Sequence, residues 1–554
     1  MKNMKNGKLP KSKKSNFALK VVSTGFLLTT LLAPTYVGAS GINDSKQITG
    51  GYLNNQSAVV STNSEQNVGT IGFFNKQKQG ESYFNKGVQV AGGLLNSQEN
   101  GVRTATSQNV SSLGIDNKQK QEKLTVNAGV QVTDGWFNNQ DNSVGTLTSQ
   151  NASSLGFGNK QKQDKVNVNA GVQVADGLLN NQVGVTETIT SQNAASVGKY
   201  NKQNQDKVNV NAGVQVADGL LNNQDNFVQT QTSQNAASVG KENKQSQDKV
   251  NVNVGVQVTD GLLNNQENIV VTESSQNAAS VGKYNKQSQD KVNVNAGVQV
   301  ADGLLNNQVN GVGKETSQNA SSVGKNNKQS QDKVNINAGV QVADGFFNNQ
   351  ENTVINNSLQ NATSKGKYNK QSQDKVNVNA GVQVADGIFN NQDNTVLTGS
   401  SQNASSIGID NKQSQDNVNV NAGVQITDGF FNNQVNGVQT EFSQNASSVG
   451  IGNKQSQEKV NVNAGVQVTD GFFNNQENTV ITDSTQNSST IGFANKQKQS
   501  NTSFNTGSQY SSGGANTQTQ TVITNTQQNA SSIGGSNSQV QGSSSINFSS
   551  QGAK

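Results

Sequence analysis

The chain of 554 residues contains no cysteine and no histidine. Those absences remove the thiolate nucleophile, the commonest general base, every disulfide and the usual zinc or iron–sulfur ligands. Enzymatic chemistry would have to rest on carboxylates or hydroxyls, and extracellular stability on backbone hydrogen bonds instead of cross-links. Neither catalysis nor a cofactor nor a metal site is expected. Proline occurs only at Pro10 and Pro34, so no later segment loses a backbone donor to it. Hydrophobic residues make up 30% of the chain, too few for an ordinary oily core.

Charge is nearly balanced: 41 Lys and Arg face 36 Asp and Glu, for a net +5. Much of the excess lies before Val21, and in the repeats Lys recurs beside an acid, as in Asp164-Lys165 and Asp206-Lys207. These charges read as solvated turn and surface residues. No basic stripe with interleaved stacking aromatics is visible, so nucleic acid is not expected as a partner.

The N-terminus carries Lys2, Lys5, Lys8, Lys11, Lys13, Lys14 and Lys20, then an apolar stretch from Val21 to Ala33, then Val37-Gly38-Ala39. Those three parts predict a secretory signal peptide over 1–39, cleaved after Ala39. The expected product is secreted, extracellular or at the cell surface, with no integral membrane segment in the mature chain.

What fills the chain is a 42-residue period. A Gly opening GVQV or GVQI stands at Gly87, Gly129, Gly171, Gly213, Gly255, Gly297, Gly339, Gly381, Gly423 and Gly465. A repeat that admits no insertion suggests that every residue has a fixed place in a stack. The copy from Gln150 to Ser191 shows how. Val166, Val168, Ala170, Val172 and Val174 alternate with Asn167, Asn169, Gly171 and Gln173, the period of a β-strand. Asp176-Gly177 is a turn dipeptide, and Leu178-Leu179-Asn180-Asn181-Gln182 starts a second strand.

Gly156, Asn159 and Gln161 recur half a period later as Gly177, Asn180 and Gln182, so each repeat is two diverged units sharing G-x-x-N-x-Q. The expected fold is all-β: stacked β-arch repeats of the β-solenoid or amyloid-like kind, a 42-residue period made of two 21-residue units. With each 21-residue arch as one rung the stack has about 24 rungs over roughly 115 Å; a 42-residue rung stays open. Burying a few Val or Leu side chains cannot offset the entropy of ordering a whole arch, so a lone copy should stay unfolded. Stacking places Val on Val and lets amides form ladders. The residues expected to carry it are Asn159, Gln161, Gln163, Val166, Val168, Val172, Val174, Asn180 and Gln182, with turns at Gly156, Asp176 and Gly177. An interior Asn–Gln series is the favoured reading; the facing of the Gln150 half stays open.

By region, 40–65 is a degenerate N-terminal repeat, 66–506 the tandem repeats, and 507–554 a degenerate C-terminal repeat or cap. Asp-Gly at one Asp per period reads as turn chemistry, not calcium binding. Gly198-Lys199 lacks the rest of a phosphate loop. Trp136 replaces the Leu or Phe of other copies, and Arg103 lies in a variable segment.

Val197-Gly198-Lys199-Tyr200-Asn201-Lys202-Gln203-Asn204-Gln205 resembles the curlin repeat of curli amyloid subunits, with Ser196 and Gln203 where curlin repeats usually have Gln and Ala. Val208-Asn209-Val210-Asn211-Ala212-Gly213, with Asn-Asn-Gln downstream, resembles repeats of the Fap-type secreted amyloids, without their cysteine pair. The resemblance implies secretion through an outer-membrane pore, a nucleator subunit, and self-association into fibres that build biofilm matrix, an adhesive layer or a surface coat. A monomeric β-solenoid acting as a surface adhesin or spacer is the alternative; an ice-binding solenoid is disfavoured because regular Thr-x-Thr arrays are missing.

Overall fold

The computed structural model describes residues 40–73, 76–115, 118–512, 515 and 517–553; the expected signal peptide lies outside them. No described residue is helical. Long strands follow one another, among them Lys202–Lys241, Lys244–Lys283 and Lys286–Lys325, and all pair in parallel within one sheet system.

The register is uniform. Lys202 pairs with Lys244, Val208 with Val250 and Lys241 with Lys283, each with its own equivalent in the next repeat. One layer therefore holds both halves of the repeat, and the rung is the full period. The twelve steps from Gln47 to Gln551 make a stack about 58 Å tall at ~4.8 Å per step, half the length expected from a half-repeat rung. The same register reaches both ends, where Ser40–Phe73 pairs with Lys76–Ile115 and Ser538–Ala553 pairs with Lys496–Ser512.

Each coil is flattened into two legs joined by two corners, and G-x-x-N-x-Q is the corner. In the corner at Gly198, the Gly has φ 130° and Tyr200 sits in the left-handed region at φ 61°. A Cβ at Gly198 would collide with the carbonyl oxygen of Gly156 one coil below, so only Gly fits there. Asn201 turns inward and braces the bend, its Nδ2 donating to the Val197 carbonyl at 3.1 Å. In the opposite corner Asn180 also turns inward, donating to the Gly177 carbonyl of its own bend at 3.5 Å and, across to the next coil, to the Asp218 carbonyl at 2.8 Å and Asn222 Oδ1 at 2.9 Å.

The two legs face each other across an interior that is mostly polar. Val250, Val252, Val254, Val256 and Val258 point outward and are half-buried, while Asn251, Asn253, Gly255 and Gln257 point inward. Sequence reasoning assigned the burial to Val and Leu; the structure reverses that. Among the described residues the main apolar cluster is a file on the second leg, Val312, Val354, Val396, Val438 and Val480, with Val60, Val102 and Val144 in the same place nearer the N-terminal end and small alanines such as Ala217 and Ala301 buried on the first leg. The Gly of GVQV stands opposite the valine file, where a Cβ at Gly255 would strike Asn268 Oδ1 and Val270. That close approach between legs is the reason for the glycine.

Candidate functional site

The chemistry of this molecule lies in files of identical side chains that run the height of the stack. The longest is glutamine. Gln89 Nε2 donates to Gln47 Oε1 at 3.2 Å, Gln257 to Gln215 at 2.8 Å, Gln299 to Gln257 at 2.8 Å, and Gln551 to Gln509 at 2.9 Å. The second Nε2 hydrogen is used as well, since Gln257 also donates to the Glu267 carbonyl of the facing leg at 2.7 Å. Both donors and the acceptor are thereby satisfied, the condition for burying a primary amide.

An asparagine file runs beside it with the opposite polarity. Asn211 Nδ2 donates forward to Asn253 Oδ1 at 3.3 Å, and Asn253 to Asn295 at 3.3 Å, whereas the glutamines donate backward. Threonine stitches these coils across the interior: Asn253 donates to Thr272 Oγ1 at 2.6 Å, and Thr272 donates to Asn295 Oδ1 at 2.7 Å. Chains of hydrogen bonds of this kind polarise one another, and two files of opposite sense cancel much of each other's dipole.

A buried lysine file completes the interior. Lys165, Lys207, Lys249, Lys291, Lys333, Lys375 and Lys459 occupy equivalent places in their repeats and are all nearly inaccessible. Sequence reasoning placed the Lys of each Asp-Lys pair in solvent, but strand parity puts Asp206 outside and Lys207 inside. Lys249, Lys333 and Lys375 donate to Ser274, Ser358 and Ser400 at 3.2, 3.0 and 2.8 Å. With the Asn209 amide turned so that its oxygen faces the ammonium, Lys207 Nζ has an acceptor at 3.2 Å. Burial lowers the pKa of every one of these lysines, that of Lys291 to about 7. Lys314 joins them from the facing leg, in the position that Thr272 holds one coil earlier, and contacts Asn335. Outside, Asp206 stands in a file of carboxylates, and its own pKa is raised first by partial burial and then by the charges of Asp164 and Asp248.

The residues singled out from the sequence divide by face. Asn159, Gln161, Asn180 and Gln182 are buried in the interior. Val166, Val168, Val172 and Val174 are on the outer face. Gln163 lies in strand Lys160–Asp176, paired with Gln121 and Gln205. Gly156 has φ 132°, and Asp176 and Gly177 form the opposite corner, Asp176 exposed. In the Gln150-type half, later copies settle the facing: Gln402, Ala404 and Ser406 point in, and Asn403 points out. The inward Asn167, Asn169, Gln173 and Lys165 were missed. Their signal was constancy, since V-N-V-N and GVQV scarcely change between copies while the outward positions of the second leg vary freely.

The corners carry the apolar surface. Phe347, Phe389, Phe431 and Phe473 stack with centroids 4.8, 5.0 and 5.2 Å apart and planes within 8° of parallel. Trp136 occupies the same corner, 59% exposed, with its carbonyl accepting from Leu178 N. Arg103 donates to Ser143 Oγ at 3.4 Å. Among the described residues no group of three or more His, Cys, Asp or Glu is placed to hold a metal ion. Comparisons with protein families, with curated proteins and with solved structures return no match to this chain.

Proposed function

We propose that the chain is a secreted structural subunit of amyloid-like extracellular fibres that contribute to biofilm matrix, adhesion or a surface coat, its partner being further copies of itself. The observation that carries this reading is the state of the two ends. Ser40–Phe73 pairs on one side only, and so do Thr517–Ile533 and Ser538–Ala553. Among the described residues no element covers either edge, and an unpaired strand edge is a template for another chain.

The ends match on the leg that holds Gln47 and Gln551, which occupy the same place in the coil, so the Oε1 of Gln551 meets the Nε2 of Gln47 when one chain stacks on the next. The register then continues across the junction on that leg, while the other leg stays open by one layer above Thr517–Ile533. Secretion through an outer-membrane pore and a nucleator subunit belong to the same proposal and rest on the resemblance to curli and Fap-type repeats.

The test is incubation of purified 40–554 with thioflavin fluorescence and electron microscopy. Unbranched thioflavin-positive fibres that seed fresh protein are expected. A product that stays monomeric and dark at high concentration would instead identify a capped β-solenoid adhesin or spacer.

A further inference from the structure

Stacking segregates charge that looks mixed in the sequence. The Lys that follows each corner Asn recurs as Lys202, Lys244, Lys286, Lys328, Lys370 and Lys412, all exposed, one per coil. In five central coils a second file, Lys199, Lys241, Lys283, Lys325 and Lys367, stands on the other side of the bend. Of these residues only Lys241 forms an ion pair among the described residues, with Glu242 at 3.5 Å. A solvent-open groove follows the first file from Lys202 to Lys496, walled by Ser246, Ser288 and their counterparts.

Between the two lysine files lies the left-handed corner position. It holds Tyr200, Tyr284 and Tyr368, exposed by 44, 45 and 47%, with Glu242 and Asn326 in the two intervening coils and Asp410 in the coil after them. Tyrosine therefore recurs every second coil, about 9.6 Å apart, while lysine recurs every coil at ~4.8 Å. Lys325 Nζ lies 5.9 Å from the centroid of Tyr368, so cation and ring share one ridge.

We propose that this ridge binds a linear acidic polysaccharide of the polyuronate class. Such a chain is extended and single-file and carries one carboxylate per pyranose ring, a repeat close to the spacing of strands. When successive rings flip by half a turn, equivalent ring faces recur every second sugar, which is the period of the tyrosines. Pyranose rings present C–H bonds that stack on aromatic faces, and each lysine meets one carboxylate. Duplex DNA fits less well, because its phosphates wind away from a straight file and carry one charge per about 1.7 Å of axis. The carboxylates of Asp248 and Asp290 accept from the wall serines Ser246 and Ser288, each at 3.1 Å, and stand on the far side of them, outside the groove lining.

The experiment measures binding of the purified full-length mature protein to polygalacturonate, its fully methyl-esterified form, single-stranded DNA and duplex DNA, across salt concentrations. Polygalacturonate is expected to bind, with affinity falling as salt rises, and the esterified form to lose at least about tenfold. Replacing Lys202, Lys244, Lys286, Lys328, Lys370 and Lys412 by Gln should weaken polygalacturonate binding by at least about tenfold, whereas Arg at the same six positions should retain it. Circular dichroism of both variants reports that the stack still forms. Tyr200, Tyr284 and Tyr368 replaced by Ala should cost several-fold more for polygalacturonate than for duplex DNA. Unchanged affinity of the Gln variant, equal binding of the esterified polymer, or tighter binding of either DNA would each overturn the proposal.

Discussion

The ammonium of Lys459 lies 3.7 Å from the ring centroid of Phe442 in the preceding coil. Phe442 stands where the flanking coils have Ser400 and Ser484, and in its own coil Asn417 replaces the usual lysine. A large residue on one leg is matched by a small one on the other, so the interior volume of the coil is conserved. Asn417→Lys alone should overfill that coil and lower stability by about 1–3 kcal/mol. Adding Phe442→Ser should restore most of it, because the Lys–Ser pairing of Lys375 and Ser400 is recreated. A shift of the thermal midpoint followed by circular dichroism reads both; equal midpoints for the single and double variants would contradict the pairing.

The glycine of GVQV is required by the closeness of the legs, which gives a pair of contrasting substitutions. Gly255→Ala should cost about 1–3 kcal/mol, since its Cβ meets Asn268 and Val270. Gly437→Ala adds a Cβ with no atom within 4 Å and should be neutral or slightly stabilising. Chemical denaturation of the two variants in parallel tests the difference.

Lys314 interrupts the threonine file. Lys314→Thr recreates the geometry of Thr272, with Asn295 donating to the hydroxyl and the hydroxyl donating to Asn337. It also removes a buried cation that lies near Lys291 and Lys375. The variant should be more stable by about 1–3 kcal/mol. A lower midpoint than that of the unaltered chain would contradict the assignment.

The lysine file makes stability depend on pH in a definite direction. Folding depresses these pKa values below the unfolded value of about 10.5, so between the folded and unfolded pKa the unfolded chain holds more protons. Stability therefore rises with pH across that window, which for Lys291 opens at about 7, and levels off below it. Asp206, Asp290, Asp374 and Asp416 on the outer face act with the opposite sign, since pKa values raised by folding confer stability that is lost as pH rises through them. These four carboxylates are only partly buried and are screened by solvent, so the lysines dominate above neutrality. Denaturation midpoints should climb from pH 7 to pH 9.5, and Lys291→Asn, the residue found at Asn417, should flatten the climb.

The period, the strands and the corner motif were legible in the sequence because each has a strict local cause. Gly198 and Asn201 mark a bend that few other residues can make. The facing of the legs was not legible. In Val208-Asn209-Val210-Asn211 the alternation shows that two faces differ, and burial of apolar area argues for Val inside. Hydrogen bonding between identical amides decides otherwise, and only the equivalent residue of a neighbouring repeat supplies it. The height of the rung was hidden for a related reason: the two halves share little beyond G-x-x-N-x-Q, and whether Gln224 lies over Gln203 or over Gln182 depends on which half stacks on which. It lies over Gln182, at 2.7 Å. Lys207 looked like a solvated surface residue beside Asp206, and only strand parity takes it inside.

The central claim is that each layer contains one whole 42-residue repeat. The absence of cysteine makes it directly measurable, because Ser246→Cys and Ser456→Cys introduce unique spin-label sites on one file of the outer face. Those positions are five coils apart, so double electron–electron resonance should report a distance centred near 24 Å at ~4.8 Å per layer. A distance near 48 Å, at about 4.8 Å for each half-repeat, would contradict the account.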